Sequence, residues 1–302
     1  MPGLHNKEVF MKTFEYFKPA TVEEALGLLK QFGTQAKILA GGTDVAIMID
    51  DGVLTPDYVI DVKGLSSLKG IEVRENYLWI GALTTFSEII HSDLVKNHFP
   101  VLFEASKTVA SVGVRNRATL VGNICSAVPS ADSAPTLLVL NALVEVKGDT
   151  DRLVPIKEFF TGPRKTVLGA SELVTGVRIP LETRKFGANY IKLGRYDGED
   201  LAQVGVATFV SEDLEYRVSF GAVAPTPVRA YEVEEFLKGK ELSDALIEQA
   251  IPIALKSISP ISDVRASKEY RMHVSGVLFK RSLKASFERL RGQGPAYGTN
   301  LV

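Results

Sequence analysis

Two glycine turns about eighty residues apart carry the residues best suited to chemistry: Ala40-Gly41-Gly42-Thr43-Asp44 and Thr119-Leu120-Val121-Gly122-Asn123. A glycine has no Cβ, so peptide N–H groups can approach phosphate oxygens closely, and a helix start adds partial positive charge. The first turn follows Lys37-Ile38-Leu39-Ala40, readable as a buried strand, and precedes Val45-Ala46-Ile47-Met48-Ile49, which opens a helix capped by Thr43 or Asp44. It matches neither the G-x-G-x-x-G fingerprint nor a P-loop, and alone it also fits a tight turn with a helix cap.

The second turn leads into Ile124-Cys125-Ser126-Ala127-Val128-Pro129-Ser130-Ala131-Asp132-Ser133-Ala134-Pro135, a loop of small and polar side chains ahead of a buried element. Asn123 and Ser126 can bond a hydroxyl or phosphate, and Asp132 is an acceptor suited to a ribityl or ribose hydroxyl. Each also fits a side chain that satisfies its own loop backbone. The two turns together point to a dinucleotide site.

These residues carry a resemblance. Leu39 to Val45, the run Val112-Gly113-Val114-Arg115-Asn116-Arg117-Ala118-Thr119 into Gly122-Asn123-Ile124, and Pro129 through Asp132 to Pro135 resemble the FAD-binding subunit of the molybdenum hydroxylases. That family includes xanthine dehydrogenase and the medium subunit of aerobic carbon monoxide dehydrogenase. The later segments Phe159 to Thr166, Tyr190 to Arg195, Gly221 to Arg229 and Tyr270-Arg271 are similar to its C-terminal half, so the resemblance runs from about Phe14 to Leu290.

The resemblance implies an FAD pyrophosphate against both turns, contacting Leu39, Ala40, Gly41, Gly42, Thr43, Asp44, Val45, Thr119, Gly122, Asn123, Ser126 and Asp132. It also implies Leu173 packed near the flavin and Lys192 at its edge, where a cation stabilises the reduced ring. It implies an electron-transfer role beside a molybdopterin-binding large subunit and a two-cluster iron–sulfur (2Fe–2S) small subunit, in a dimer of heterotrimers, with NAD⁺, a quinone, ferredoxin or oxygen as external acceptor. Two positions depart from the family: Val121 stands where a glycine is usual, and Tyr196 where relatives often carry an arginine. A β-branched residue at Val121 is strained if that position requires φ > 0. Two other readings share features of the chain: a stand-alone flavin reductase of the UDP-N-acetylenolpyruvoylglucosamine reductase type, and a scaffold that has lost flavin.

The elements that must position these residues are legible at coarse grain. Thr21-Val22-Glu23-Glu24 is a capping box into an amphipathic helix that stops at Gly33. Tyr58 to Val62 reads as a strand, and Ile71 to Val73 and Tyr77 to Gly81 as a hairpin through Glu75-Asn76. Thr85 to Phe99 and Val101 to Val109 read as helices. After a break near Pro180 to Lys185, strands Ala188–Leu193, Ala202–Val210 and Tyr216–Val223 precede helices Val228–Leu237, Asp244–Ser257 and Tyr270–Arg291.

The expected fold is α/β plus α+β: two FAD-binding subdomains (1–62 and 63–182), a C-terminal domain with a three-stranded sheet and helices (183–291), and a mobile tail (292–302).

Composition bounds the rest. With 302 residues, 45% hydrophobic, the chain can bury a substantial core. Its 35 basic and 36 acidic residues give no electrostatic reason to expect nucleic acid or an anionic membrane as partner. No apolar run reaches the ~18 residues of a membrane span, and Met1 to Thr13 lacks a signal-peptide core, so a cytoplasmic protein is expected. A single cysteine, Cys125, can hold neither a disulfide nor an iron–sulfur cluster. The histidines His5, His91, His98 and His273 are scattered, and no metal is assigned. No nucleophile–base pair is evident, so any chemistry belongs to a cofactor.

Overall fold

Apolar β-branched runs build three larger sheets, beside a two-stranded ribbon of Phe160–Gly162 and Lys165–Thr166. A computed structural model describes residues 12–196 and 200–302, which leaves His5 outside the described residues. In the first sheet, Tyr58–Asp61 lies between Glu15–Phe17 and Ala36–Leu39, parallel to both. The helix Val22–Phe32 feeds this sheet. Its N-cap Thr21 accepts from Glu24 N at 3.1 Å, and Gly33 ends it at φ 54°.

The second sheet is antiparallel, in the order Ile71–Arg74, Tyr77–Gly81, Leu173–Pro180, Leu143–Lys147, Arg152–Pro155. Its hairpin turns at Glu75-Asn76, as the sequence indicates, with Glu75 at φ 49°. The segment expected as one helix over Thr85–Phe99 is two, Phe86–His91 and Asp93–His98. Ser92 ends the first and caps the second, accepting from Val95 N at 3.3 Å, so its hydroxyl competes with the helix ladder. His91 and His98 therefore do not share a helix face. The next helix, Pro100–Lys107, uses Pro100 in its first turn.

The C-terminal sheet has four strands rather than three: Phe186–Leu193, Val204–Ser211, Tyr216–Gly221 and the short Val228–Arg229. Val228 and Arg229 pair with Phe220 and Ser219, so the helix expected from Val228 begins at Tyr231. Val204–Ser211 is buried throughout because both faces of its sheet are covered. Ala188, Tyr190, Ala207 and Phe209 join the core of the FAD-binding half. Ile191, Val204, Val206 and Val210 pack with the helices Tyr231–Leu237, Asp244–Leu255 and Lys268–Leu290. A Cβ on Gly187 would lie 2.0 Å from Ser286 O, which shows how closely the last helix approaches the edge strand.

The tail from Gly292, expected to be mobile, is docked. Arg289 donates to Pro295 O at 2.9 Å and Ala296 O at 3.1 Å, and Arg281 donates to Leu301 O at 3.0 Å. These guanidinium bonds supply the ordering that composition alone does not signal. Among the described residues, no helix is long and apolar enough to cross a membrane.

Candidate functional site

The chain leaves the parallel strand at Leu39, bends through Ala40–Thr43 and enters the helix Val45–Asp50. Gly42 sits at φ 83°, a conformation glycine adopts freely. The N–H groups of Gly41, Gly42, Thr43 and Asp44 meet no acceptor among the described residues. Free donors at the carboxyl end of a parallel strand, where a helix starts, form an anion cradle that fits a pyrophosphate. Asp44 occupies the N-cap position without capping; its carboxylate accepts from the Ser126 hydroxyl and so ties the first turn to the second.

Gly41 serves a different purpose. A Cβ there would stand 2.1 Å from the Arg117 carbonyl oxygen, so this glycine lets the two turns pack backbone to backbone.

The second turn is a short helix, Leu120–Cys125, rather than a bare glycine loop. Its N-cap Thr119 accepts from Gly122 N at 2.9 Å, which satisfies the N–H expected to face the ligand. Val121 is helical and buried, so its β-branch is unstrained. Asn123 Oδ1 accepts from Ser133 Oγ at 2.6 Å and Ser133 N at 3.4 Å and closes the loop on itself. For Asn123 and Ser126, the carboxamide oxygen and the hydroxyl are engaged within the protein.

Asp132 is held at the junction of the two halves. Its carboxylate receives Lys192 Nζ at 2.9 Å and Tyr190 Oη at 3.2 Å, and Lys192 also donates to Thr108 O at 2.8 Å. The side chains of Lys192 and Asp132 are only 8% and 9% exposed. Burial pushes the Asp132 carboxyl above its ordinary value, and the Lys192 ammonium opposes that rise. Burial and the Asp132 charge push the Tyr190 hydroxyl well above its usual range. Lys192 is therefore a buried cation already paired with a carboxylate. Burial raises the Cys125 thiol to about 12, so it stays protonated although the residue is partly exposed. Leu173 begins the strand Leu173–Pro180, paired with Lys147, and is buried in the core.

Of the residues that shape this junction, Gly205 and Ala110 are not singled out by any motif in the sequence. Lys192 pairs across the sheet with Gly205, which pairs with Gly221. A Cβ on Gly221 would lie 2.8 Å from Pro135 Cγ, and one on Gly205 would lie 3.0 Å from Tyr190 Oη, so bare backbone admits the Pro129–Pro135 loop. Ala222 N donates to Pro129 O at 2.7 Å from a backbone at φ 65°. Ala110 and Ala127, on the neighbouring loops, also have positive φ, at 36° and 46°. Such backbone strain at non-glycine residues concentrates at functional sites.

The fold and the site define a flavoprotein whose FAD-binding portion is in two parts and packs on a separate C-terminal sheet. The FAD binding domain in molybdopterin dehydrogenase matches residues 12–182, and the CO dehydrogenase flavoprotein C-terminal domain matches 189–286. The chain is 33% identical over 285 residues to the xanthine dehydrogenase FAD-binding subunit of Escherichia coli O157:H7, covering 92% of this chain and 97% of that one. It is 32% identical over 281 residues to the carbon monoxide dehydrogenase medium chain of Hydrogenophaga pseudoflava, covering 91% and 98%. A solved carbon monoxide dehydrogenase from Hydrogenophaga pseudoflava superposes with a TM-score of 0.90 at 32% identity, over 93% of this chain and 99% of that one. The chain belongs to the FAD-binding subunits of the molybdenum hydroxylase family; it is an oxidoreductase subunit and its cofactor is FAD.

Proposed function

We propose that this chain is the electron outlet of a molybdenum hydroxylase complex. Electrons reach it from an iron–sulfur subunit and leave to an external acceptor, while a molybdopterin subunit oxidises the substrate. The observation that carries this reading is the run of free N–H groups from Gly41 to Asp44, fastened through Asp44 and Ser126 to the loop that delivers Asp132 to Lys192.

The Gly41–Asp44 donors and the start of the helix Val45–Asp50 would hold the pyrophosphate. The Asp132 loop, with Lys192 and Tyr190 behind it, would line the flavin end. FAD, when bound, supplies the capacity to take electrons singly and release a pair. The protein's own residues have three tasks: to neutralise the pyrophosphate with backbone dipoles, to give the buried Asp132 a partner in Lys192, and to hold the two halves in register. The lone Cys125 cannot ligate an iron–sulfur cluster, which supports a separate cluster subunit; the dimer of heterotrimers rests on the family resemblance alone.

Relatives are named for xanthine, carbon monoxide and glyceraldehyde dehydrogenation, which supports assigning substrate choice to a partner subunit. Val121, the one hint of a flavin-free scaffold, loses that meaning in a helix. The test is a visible spectrum of the purified chain with the released chromophore identified, followed by co-purification. Stoichiometric FAD with both partners supports the reading; a colourless chain that takes up no added FAD ends it.

A further inference from the structure

The segment beyond Leu290 lies outside both family matches, the second of which ends at residue 286, yet it closes the most heavily bonded buried ion pair among the described residues. Glu104, on the helix Pro100–Lys107, is 3% exposed. Its carboxylate accepts from Arg289 Nη1 at 3.0 Å and Nη2 at 2.8 Å, Tyr190 N at 2.9 Å, Asn189 Nδ2 at 3.1 Å and Gly298 N at 3.0 Å. Arg289 also donates to Ala188 O at 2.8 Å and to Pro295 O and Ala296 O of the tail. The Tyr297 ring lies 4.0 Å from the Arg289 guanidinium, and its hydroxyl accepts from Ala188 N at 3.4 Å.

Phe186–Leu193 is an edge strand of the C-terminal sheet. Ala188 and Tyr190, two residues apart, turn their outer backbone groups to the tail, to Arg289 and to Glu104, which protect the strand edge. One further step along the same face is Lys192, bonded to Asp132 and to the carbonyl of Thr108. Thr108 is the C-cap of the helix that carries Glu104. The edge strand is thus pinned twice to one helix, by Glu104 at one point and by the Lys192–Thr108 bond at the next.

We infer that Glu104, Arg289 and Tyr297 are positioning residues for the flavin site. The tail straps the ion pair shut, and the ion pair fixes the strand that presents Lys192 to Asp132. This rests on the reading that Lys192 and Asp132 line the flavin end of the cleft. Without the tail, Glu104 loses the Gly298 donor and Arg289 loses two carbonyl acceptors. The C-terminal sheet keeps its own helix-covered core, so the chain folds while the Lys192 end of the strand gains freedom.

The experiment compares the full chain with a chain ending at Gln293 and with the Tyr297→Ala and Tyr297→Phe variants. Three measurements are made on each: acylation of Lys192 in the FAD-free protein by mass spectrometry, affinity by titration with FAD, and the visible circular dichroism and potential of the bound flavin. Truncation and Tyr297→Ala are expected to retain the far-ultraviolet spectrum, raise Lys192 labelling severalfold, weaken FAD binding at least tenfold and alter the flavin's visible bands. Tyr297→Phe, which keeps the ring over Arg289 and loses only the 3.4 Å bond from Ala188 N, is expected to change each readout far less than Tyr297→Ala. Unchanged Lys192 labelling in a folded truncated chain, or in Tyr297→Ala where truncation does not fold, overturns the strap. Increased labelling with unchanged FAD affinity and spectrum upholds the strap and overturns the placement of Lys192 at the flavin.

Discussion

The backbone of Gly41 runs against that of Arg117, so closely that a Cβ on Gly41 would stand 2.1 Å from the Arg117 carbonyl oxygen and 3.1 Å from Ala118 Cα. Neither backbone can yield without separating the two segments that form the cradle, because Arg117 N and Ala118 N are both bonded to Val114 O. Gly42 has a different constraint: its φ of 83° strains any side chain, yet a Cβ would meet only Leu39 Cδ1, at 3.3 Å.

Gly41→Ala should therefore destabilise the fold by about 2–3 kcal/mol and abolish FAD uptake, as overpacking against fixed backbone does. Gly42→Ala should lower stability by only about 1–2 kcal/mol, the strain of a left-handed alanine, with a smaller loss of FAD affinity. Urea unfolding and FAD titration of both proteins provide the comparison. Equal stability of Gly41→Ala and the parent chain would mean that the turns do not pack as described.

Much of the first turn was legible because strand, glycines and helix start are contiguous in sequence. The Thr21 cap and the Glu75-Asn76 hairpin were legible for the same reason. The partners of polar residues were not. Asn123, Ser126 and Asp132 announce hydrogen-bonding capacity, but the sequence does not reveal that Ser133, Asp44 and Lys192 use it. Glu104 and Arg289 lie 185 residues apart, and no local pattern marks either as buried. The docked tail was missed because Gly and Pro make it look unstructured, while the guanidinium that orders it belongs to the preceding helix.

The buried pair of Lys192 and Asp132 gives the largest expected effect. Asp132→Ala leaves an ammonium enclosed with a single carbonyl partner, and breaking such a pair one-sidedly is worth about 3–5 kcal/mol. Asp132→Ala combined with Lys192→Met removes both charges and should recover most of that loss, while FAD affinity stays low. The four proteins form a double-mutant cycle read by denaturant unfolding. A cost below about 1 kcal/mol for Asp132→Ala would show that Lys192 escapes to water and that the pair does not join the halves.

Thr119 and Gly122 should behave as a helix cap rather than as ligand contacts. Thr119→Ala removes the oxygen that accepts from Gly122 N and should lower stability by about 0.5–2 kcal/mol. Gly122→Ala places a Cβ 2.8 Å from Thr119 Oγ1 and should displace the same cap. If both variants weaken FAD binding only in proportion to lost stability, the cap reading holds. A folded, fully stable Thr119→Ala that fails to bind FAD would instead make the hydroxyl a direct contact.

Asp263 supplies a prediction in pH. Burial acts to raise its carboxyl, but the Arg265 N–H, the Arg271 guanidinium and the Ala266 N–H outweigh it and hold the group at about 2, below the ordinary 3.8. A carboxylate depressed in the folded state contributes stability that is fully present above 3.8 and is lost as pH falls from there through about 2. Asp263 is partly exposed, so solvent screening reduces the effect to about 1 kcal/mol. Asp263→Asn, which keeps an acceptor for the Arg265 and Ala266 amides, should thus melt about 2 °C below the parent at pH 7. That gap should close as pH falls from 4 toward 2, because the parent then carries a neutral carboxyl of the same shape. Arg271 would retain its bonds to Gln203 O and Ala222 O, so the variant should fold at every pH tested. A gap that persists unchanged at pH 2 would mean that the Asp263 charge is not what stabilises this loop.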